Sequence, residues 1–458
     1  MSTATMTPIG ASALKKIKWR ILPLLIVLYV IAFIDRANVG FAALEMNDDL
    51  GISETQFGLI AGLFSIGYFL FEVPSNMLMR RVGARRWITR ILVTWGAVAV
   101  GTGFVQDITQ LAIMRTLLGV AEAGFFPCVI LYLTFWFPER ERARVVATFM
   151  IALPVATVIA APLSGLILDN VYWFGIESWR WVFILQGLPA VLLAAVAIKA
   201  LVDSPDKAKW LTSDEKAWLT TTLDAEAAAK AERQGKVSFW RSLAGVRVLA
   251  LALIYYSKSV AIYVLAFFTP AIIAAASDHI SHSAVGFITA VPYGIAAVCM
   301  VFWARHSDKT RERRWHVGIP LITAGIGLAL MPLVTSNLVL SLALLIVITV
   351  AVYATYGPFW SLPSLFLTGN AAAVGLASIN SLANLGGFVG PFGFGALKDA
   401  TGTNNWGLAA VSVTCLIAAV LVVGLKFVRD AEATMRAATP PRNDTDPEPV
   451  PAVKESVQ

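Results

Sequence analysis

Charge is scarce in this 458-residue chain: Asp, Glu, Lys and Arg make up 14% of it, against 57% hydrophobic residues. Soluble domains run at about 25% charged and about 45–50% apolar. A water-soluble fold of this length would therefore lack the polar surface to cover itself. Cysteine is equally sparse. Cys128, Cys299 and Cys415 lie inside apolar stretches with no CxxC spacing, which argues against a disulfide framework, a zinc site or an iron–sulfur site. The four histidines, His279, His282, His306 and His316, fall in loops or at the edges of apolar runs, so any proton chemistry inside a membrane passes to carboxylates. The sequence offers no nucleophile–base pair, no set of metal ligands and no sizeable soluble domain, and neither an enzyme nor a bound cofactor is expected. The net charge of +7 would suggest nucleic-acid binding on a soluble chain. Here the basic residues gather in short loops between apolar runs, the pattern that orients a protein in a membrane, and no nucleic-acid partner is expected.

What the chain has in abundance is long apolar runs. About 20 such residues cross a bilayer, and twelve runs qualify, near 21–43, 56–78, 88–105, 109–134, 144–168, 180–201, 247–275, 284–304, 317–335, 338–362, 372–397 and 406–427. Gly and Pro interrupt several of them, as spanning helices tolerate. The first run has no small-residue cleavage site after it, so it is expected to stay as a span. Arg80, Arg81, Arg85 and Arg86 crowd one loop, Arg140, Arg142 and Arg144 another, and Arg305, Lys309, Arg311, Arg313 and Arg314 a third. The alternate loops at 44–55, 106–108, 169–179 and 276–283 hold no Lys or Arg, which predicts cytoplasmic termini; Lys398, beside Asp399, is the one mild dissent. A polar, charge-balanced stretch splits the spans six and six. The expected organisation is an all-α integral membrane protein: an N-terminal six-helix bundle at 1–202, a linker at 203–245, a C-terminal bundle at 246–430 and a disordered tail at 431–458. Two six-span halves with a central cytoplasmic loop is the layout of a parallel-repeat secondary transporter.

The informative residues are the charges inside the runs. Each costs about 2.5–3.5 kcal/mol on insertion scales, so each needs a partner or a wet cavity. The first half has Asp35, Arg36, Glu72, Arg115 and Glu122, and the second half only Lys258. At 1.5 Å rise per residue, Asp35, Arg36 and Arg115 lie at one depth, which makes Asp35–Arg115 a candidate ion pair. Glu122 follows Arg115 by two turns on the same helix face, with Gly119 between them leaving room for a ligand or a neighbouring helix. The arrangement suits an anion held by Arg, with protons carried by carboxylates. One such pair could equally be a static structural bridge; several groups at compatible depths favour function. Glu72, beside Pro74, reads as structural. Lys258 reads equally well as a contact for the anion or as a helix-packing partner. Tyr68, Tyr255, Tyr256, Tyr263 and Trp360 are buried aromatics with a polar end.

Seven segments carry a resemblance: FIDRANVGFA (33–42), GYFLFEVPSN (67–76), RTLLGVAEAGFFP (115–127), WFPERERAR (136–144), SDKTRERRWH (307–316), FWSLP (359–363) and INSLANLGGFVGP (379–391). In this order they resemble the anion:cation symporter family of the major facilitator superfamily, and within it bacterial permeases for tartrate, phthalate, hydroxyphenylacetate and similar acids. The resemblance implies that Arg36 and Arg115 bind a substrate carboxylate and that Asp35 and Glu122 are the protonated acids. Tyr68, Trp360 and Asn380, with Asn384 a weaker candidate, would complete the binding wall, and Lys258 is added from the charge argument. Arg80 stands where the superfamily usually has an acidic residue before Arg81-Val82-Gly83, which puts the usual latch at that loop in doubt. The expected activity is uptake of a small organic carboxylate with protons, by a monomer in the bacterial inner membrane. The alternative is a proton-driven efflux antiporter of the same fold, which the incomplete Gly-Pro pattern at APLSG (161–165) and the cationic cavity disfavour.

Overall fold

The computed structural model describes residues 7–232, 245–275, 280–363 and 369–430, with a few side chains inside those ranges left aside. The tail at 431–458 and part of the linker lie outside the described residues. Among the described residues are seventeen α-helices of six residues or more, and sixteen of them form the twelve spans. In the first half these are α1 (Pro8–Asp49), α2 (Glu54–Val82), α3 (Ala84–Thr102), α4 (Ile108–Glu122), α5 (Phe125–Thr134), α6 (Glu139–Met150), α7 (Ala152–Asn170) and α8 (Ser178–Ala200). Helix α9 (Ser213–Glu232) belongs to the linker. The second half holds α10 (Val246–Ala274), α11 (His282–Thr310), α12 (Arg314–Leu330), α13 (Leu338–Ala354), α14 (Tyr356–Ser361), α15 (Gly369–Asn384), α16 (Gly386–Thr401) and α17 (Asn405–Gly424). Ten spans, single or kinked, meet the length and hydropathy of a membrane crossing. Helix α3 and the α15–α16 pair supply the remaining two.

Four spans are broken into two helices, at residues 123–124, 151, 355 and 385. The first break has a clear cause. Gly124 takes the left-handed conformation (φ 80°), which ends α4 immediately after Glu122, and a side chain at this position would strike Ser75.

Each half packs on itself: α1 against α7 and α8, α3 against α8, and α2 against α4 in the first; α12 against α17, α11 against α13, and α10 against α15 in the second. Three pairs form most of the joint between the halves: α7 with α11, α2 with α16, and α1 with α10. The start of α1 and the end of α17 lie on one face, the terminal face. On the opposite, distal face the halves are tied by two related caps. The backbone N–H groups of Glu54 and Thr55, at the start of α2, donate to the Asp399 carboxylate at 3.2 and 2.8 Å. Those of His282 and Ser283, at the start of α11, donate to Asp169 at 3.1 and 2.7 Å. In each case the carboxylate closing the fifth span of one half satisfies the orphan N–H groups opening the second span of the other. Lys398 pairs with Glu54, so the basic residue that dissents from the loop pattern is neutralised within a clamp.

Near the terminal face, Asp203 supplies what the loop between the second and third spans lacks. Its carboxylate accepts from the backbone N–H of Arg85 at 2.9 Å, at the start of α3. A cap drawn from beyond α8 thus stands in for the missing acidic residue beside Arg80.

Candidate functional site

A cavity lies between the halves. Half of its twenty lining residues are aromatic, among them Tyr29, Tyr68, Tyr255, Tyr263, Tyr353, Tyr356 and Trp360, and Arg36 is the single charged one. Tyr68 from α2 and Arg36 from α1 face Tyr255 and Tyr263 from α10, with Trp360 from α14 and Asn380 and Asn384 from α15 completing the wall. Trp360 lies at the terminal-face end of its span, Met150, Leu153 and Asn380 lie in the terminal-face halves of theirs, and Ala266 and Phe267 lie in the distal half of α10.

Arg36 organises the first-half side. Its Nε and Nη2 both donate to one oxygen of Glu122, Oε1, at 2.9 and 2.5 Å, while Glu122 Oε2 has no partner. Glu122 is fully buried, whereas the Arg36 side chain keeps 14% exposure. The rings of Phe33, Phe64 and Tyr68 lie 4.8–5.0 Å from the guanidinium and hold it by cation–π contact.

The expected Asp35–Arg115 pair is not formed. Asp35 instead accepts from the indole N–H of Trp95 at 2.7 Å and, more weakly, from the Asn38 amide at 3.4 Å. Helix depth placed Asp35 and Arg115 level, but rotation about α1 turns Asp35 toward α3. Arg115 has no exposure, lies 5.5 Å from the Phe64 ring centroid, and has no hydrogen-bond partner at any guanidinium nitrogen. Phe64 thus contacts both guanidinium groups, and only Arg36 lines the cavity. The space left by Gly119 is taken by α2, whose backbone at Phe64 and Tyr68 packs there, so it serves a neighbouring helix.

Lys258 is also buried, at 2% exposure, and its amine has no hydrogen-bond partner. It rests 2.9 Å from the Tyr356 ring centroid and 4.2 Å from that of Tyr255. Glu72 accepts from the Asn380 side chain at 3.2 Å and so joins α2 to α15. Tyr256 does not line the cavity. Sequence reasoning missed Trp95, Tyr29, Tyr353 and Tyr356. A tyrosine or tryptophan at mid-span depth is the signal that could have found them, but it is a weak one, because most such residues only pack.

The profile of the Major Facilitator Superfamily matches residues 25–391. The chain belongs to that superfamily. It is 49% identical over 413 residues to a protein named "Putative tartrate transporter" from Agrobacterium vitis, covering 90% of this chain and 91% of that one. It is 39% identical over 429 residues to a protein named "Quinolone resistance transporter" from Acinetobacter baumannii, covering 93% of this chain and 98% of that one. The inward-open structure of the xylose transporter XylE from E. coli superposes with a TM-score of 0.71 at 16% identity, covering 90% of this chain and 98% of that one. That likeness shows the fold. The protein is accordingly a multi-pass membrane transporter and not an enzyme.

Proposed function

We propose that this transporter takes up a small organic carboxylate together with protons by alternating access. The observation that carries the reading is the Arg36–Glu122 ion pair at the wall of the central cavity. Arg36 spends two donors on one Glu122 oxygen. An incoming carboxylate competes for the same guanidinium, which is built for bidentate recognition of such groups. Glu122, displaced in a fully buried position, keeps a lone charge at high cost and is relieved by a proton. Anion binding and protonation are thereby linked through one arginine. Asp35, held by Trp95, is the second proton carrier. Arg115 balances the charge of Asp35 and Glu122 from behind Phe64. Tyr68, Trp360, Asn380 and Asn384 orient the substrate body.

The same reading places the terminal face in the cytoplasm of a bacterium, following the basic loops. It takes residues 1–202 and 246–430 as the two moving bodies and the monomer as the working unit. The name of the Agrobacterium relative supports a carboxylate as cargo. The Acinetobacter relative supports a second reading, proton-driven efflux.

Purified protein in liposomes loaded with a pH dye distinguishes the two. Challenge with a panel of organic acids should acidify the lumen for at least one acid. Silence across the acids, with proton movement on addition of quinolones or of neutral or cationic compounds, would replace uptake by efflux.

A further inference from the structure

Lys258 has no structural reason to carry a charge. It is 2% exposed, its amine meets no acceptor, and no carboxylate forms an ion pair with it among the described residues. A methionine would fill the same volume without the cost of burying an uncompensated ammonium group. What the amine does touch is informative: the faces of Tyr356 and Tyr255, both of which line the cavity.

The position of Lys258 in the fold mirrors that of Arg36. Helices α1 and α10 are the first spans of their halves and pack on each other, and each contributes one buried or half-buried cation beside the cavity. Gly40 of α1 meets α10 at Ala266 and Phe267. Counting back from that contact at 1.5 Å per residue, Lys258 lies roughly 6–7 Å nearer the terminal face than Arg36. The two cations stand on opposite halves at different levels of one cavity. Arg36 is already balanced by Glu122, whereas Lys258 has no counter-charge.

Resting on the carboxylate reading above, we infer that Lys258 binds a second carboxylate, so that the preferred cargo is a short dicarboxylate held by Arg36 of one half and Lys258 of the other. The tyrosine rings hold the ammonium group in place while the site is empty and turn aside as the anion enters. A ligand bridging the two halves has its best contacts only when both cations reach it, which selects for a second carboxylate at the right spacing and against its absence.

The test compares tartrate and succinate with their monomethyl esters, in wild type and in Lys258→Met and Lys258→Gln. Wild type should take up the diacids in preference to the half-esters. Both variants should weaken diacid binding by about tenfold to a hundredfold while changing the half-esters little, because one charge-assisted contact is lost from the diacid alone. Two variants that remove the charge while keeping the length guard against a folding defect, and unfolding temperature is recorded for each. Equal loss for diacid and half-ester, no loss for either, or a wild type that prefers the half-esters or aromatic monocarboxylates would overturn the Lys258 assignment and leave the carboxylate reading standing. A wild type that carries no acid of either kind would overturn both.

Discussion

Arg36 and Glu122 meet on the inner side of one aromatic cluster, and their geometry sets the expectations at the scale of single residues. Arg36→Lys exchanges two directed donors for a point charge. It should cut substrate-driven proton uptake at least about tenfold, with the protein still folded, as read from the lumenal dye signal. Trp95→Phe removes the indole donor from Asp35 in dry surroundings. It should lower stability by about 1–3 kcal/mol, seen as a fall in unfolding temperature in detergent. The charged residues were legible in the sequence because a charge inside an apolar run is conspicuous. Their partners were not. Which helix faces Asp35 depends on the rotation of α1 and on where α3 packs, and a membrane helix that is apolar on its outward and inward faces alike does not specify rotation. Trp95 could not be told from any other packed tryptophan.

Among the elements, α9 shows how a linker is held without crossing the membrane. Glu215, buried at its start, accepts from Lys16 at 2.9 Å and Ser12 at 2.7 Å on α1 and from the backbone of Thr212. Burial acts to raise its pKa, but these hydrogen bonds and the Lys16 charge prevail and bring it from the usual 4.5 down to about 2. A carboxyl depressed by folding contributes stability above its unfolded value and loses it as pH falls through the folded one. The α9–α1 contact should therefore hold at pH 5 and above and loosen between about pH 4 and pH 2. Spin labels at Ala11 and Thr220 would report that loosening as a longer, broader distance distribution. Gly124 is the other element-scale device. Gly124→Ala puts a side chain in the left-handed region against Ser75, and should cost at least about 1–2 kcal/mol and disturb the end of α4 that carries Glu122. Span positions were legible because a run of twenty apolar residues is a strong signal. The breaks were less so: the sequence showed Gly and Pro, but the turn at Gly124 depends on contact with α2.

The whole molecule is closed on the distal face by two caps of the same design, Asp399 on α2 and Asp169 on α11. Because each cap draws on both halves, neutralising one should weaken distal closure without altering the cavity wall. Asp399→Asn combined with Asp169→Asn should raise the reactivity of a cysteine placed at Ala266 toward a membrane-impermeant thiol reagent added on the distal side. An unchanged rate would mean that helix packing alone keeps that face shut. The twelve spans, their division into halves and the family were legible from apolar runs, loop charges and seven short motifs. The clamps were not, because a helix N-terminus acquires its partner only when the other half is in place.

The linkage through Arg36 is tested most directly by comparing wild type with Glu122→Gln in dye-loaded liposomes, measuring proton entry and exchange of labelled for unlabelled substrate together. Wild type should do both, and the variant should still exchange substrate while its proton signal falls to the leak rate. A variant that still acidifies the lumen like wild type would contradict the linkage.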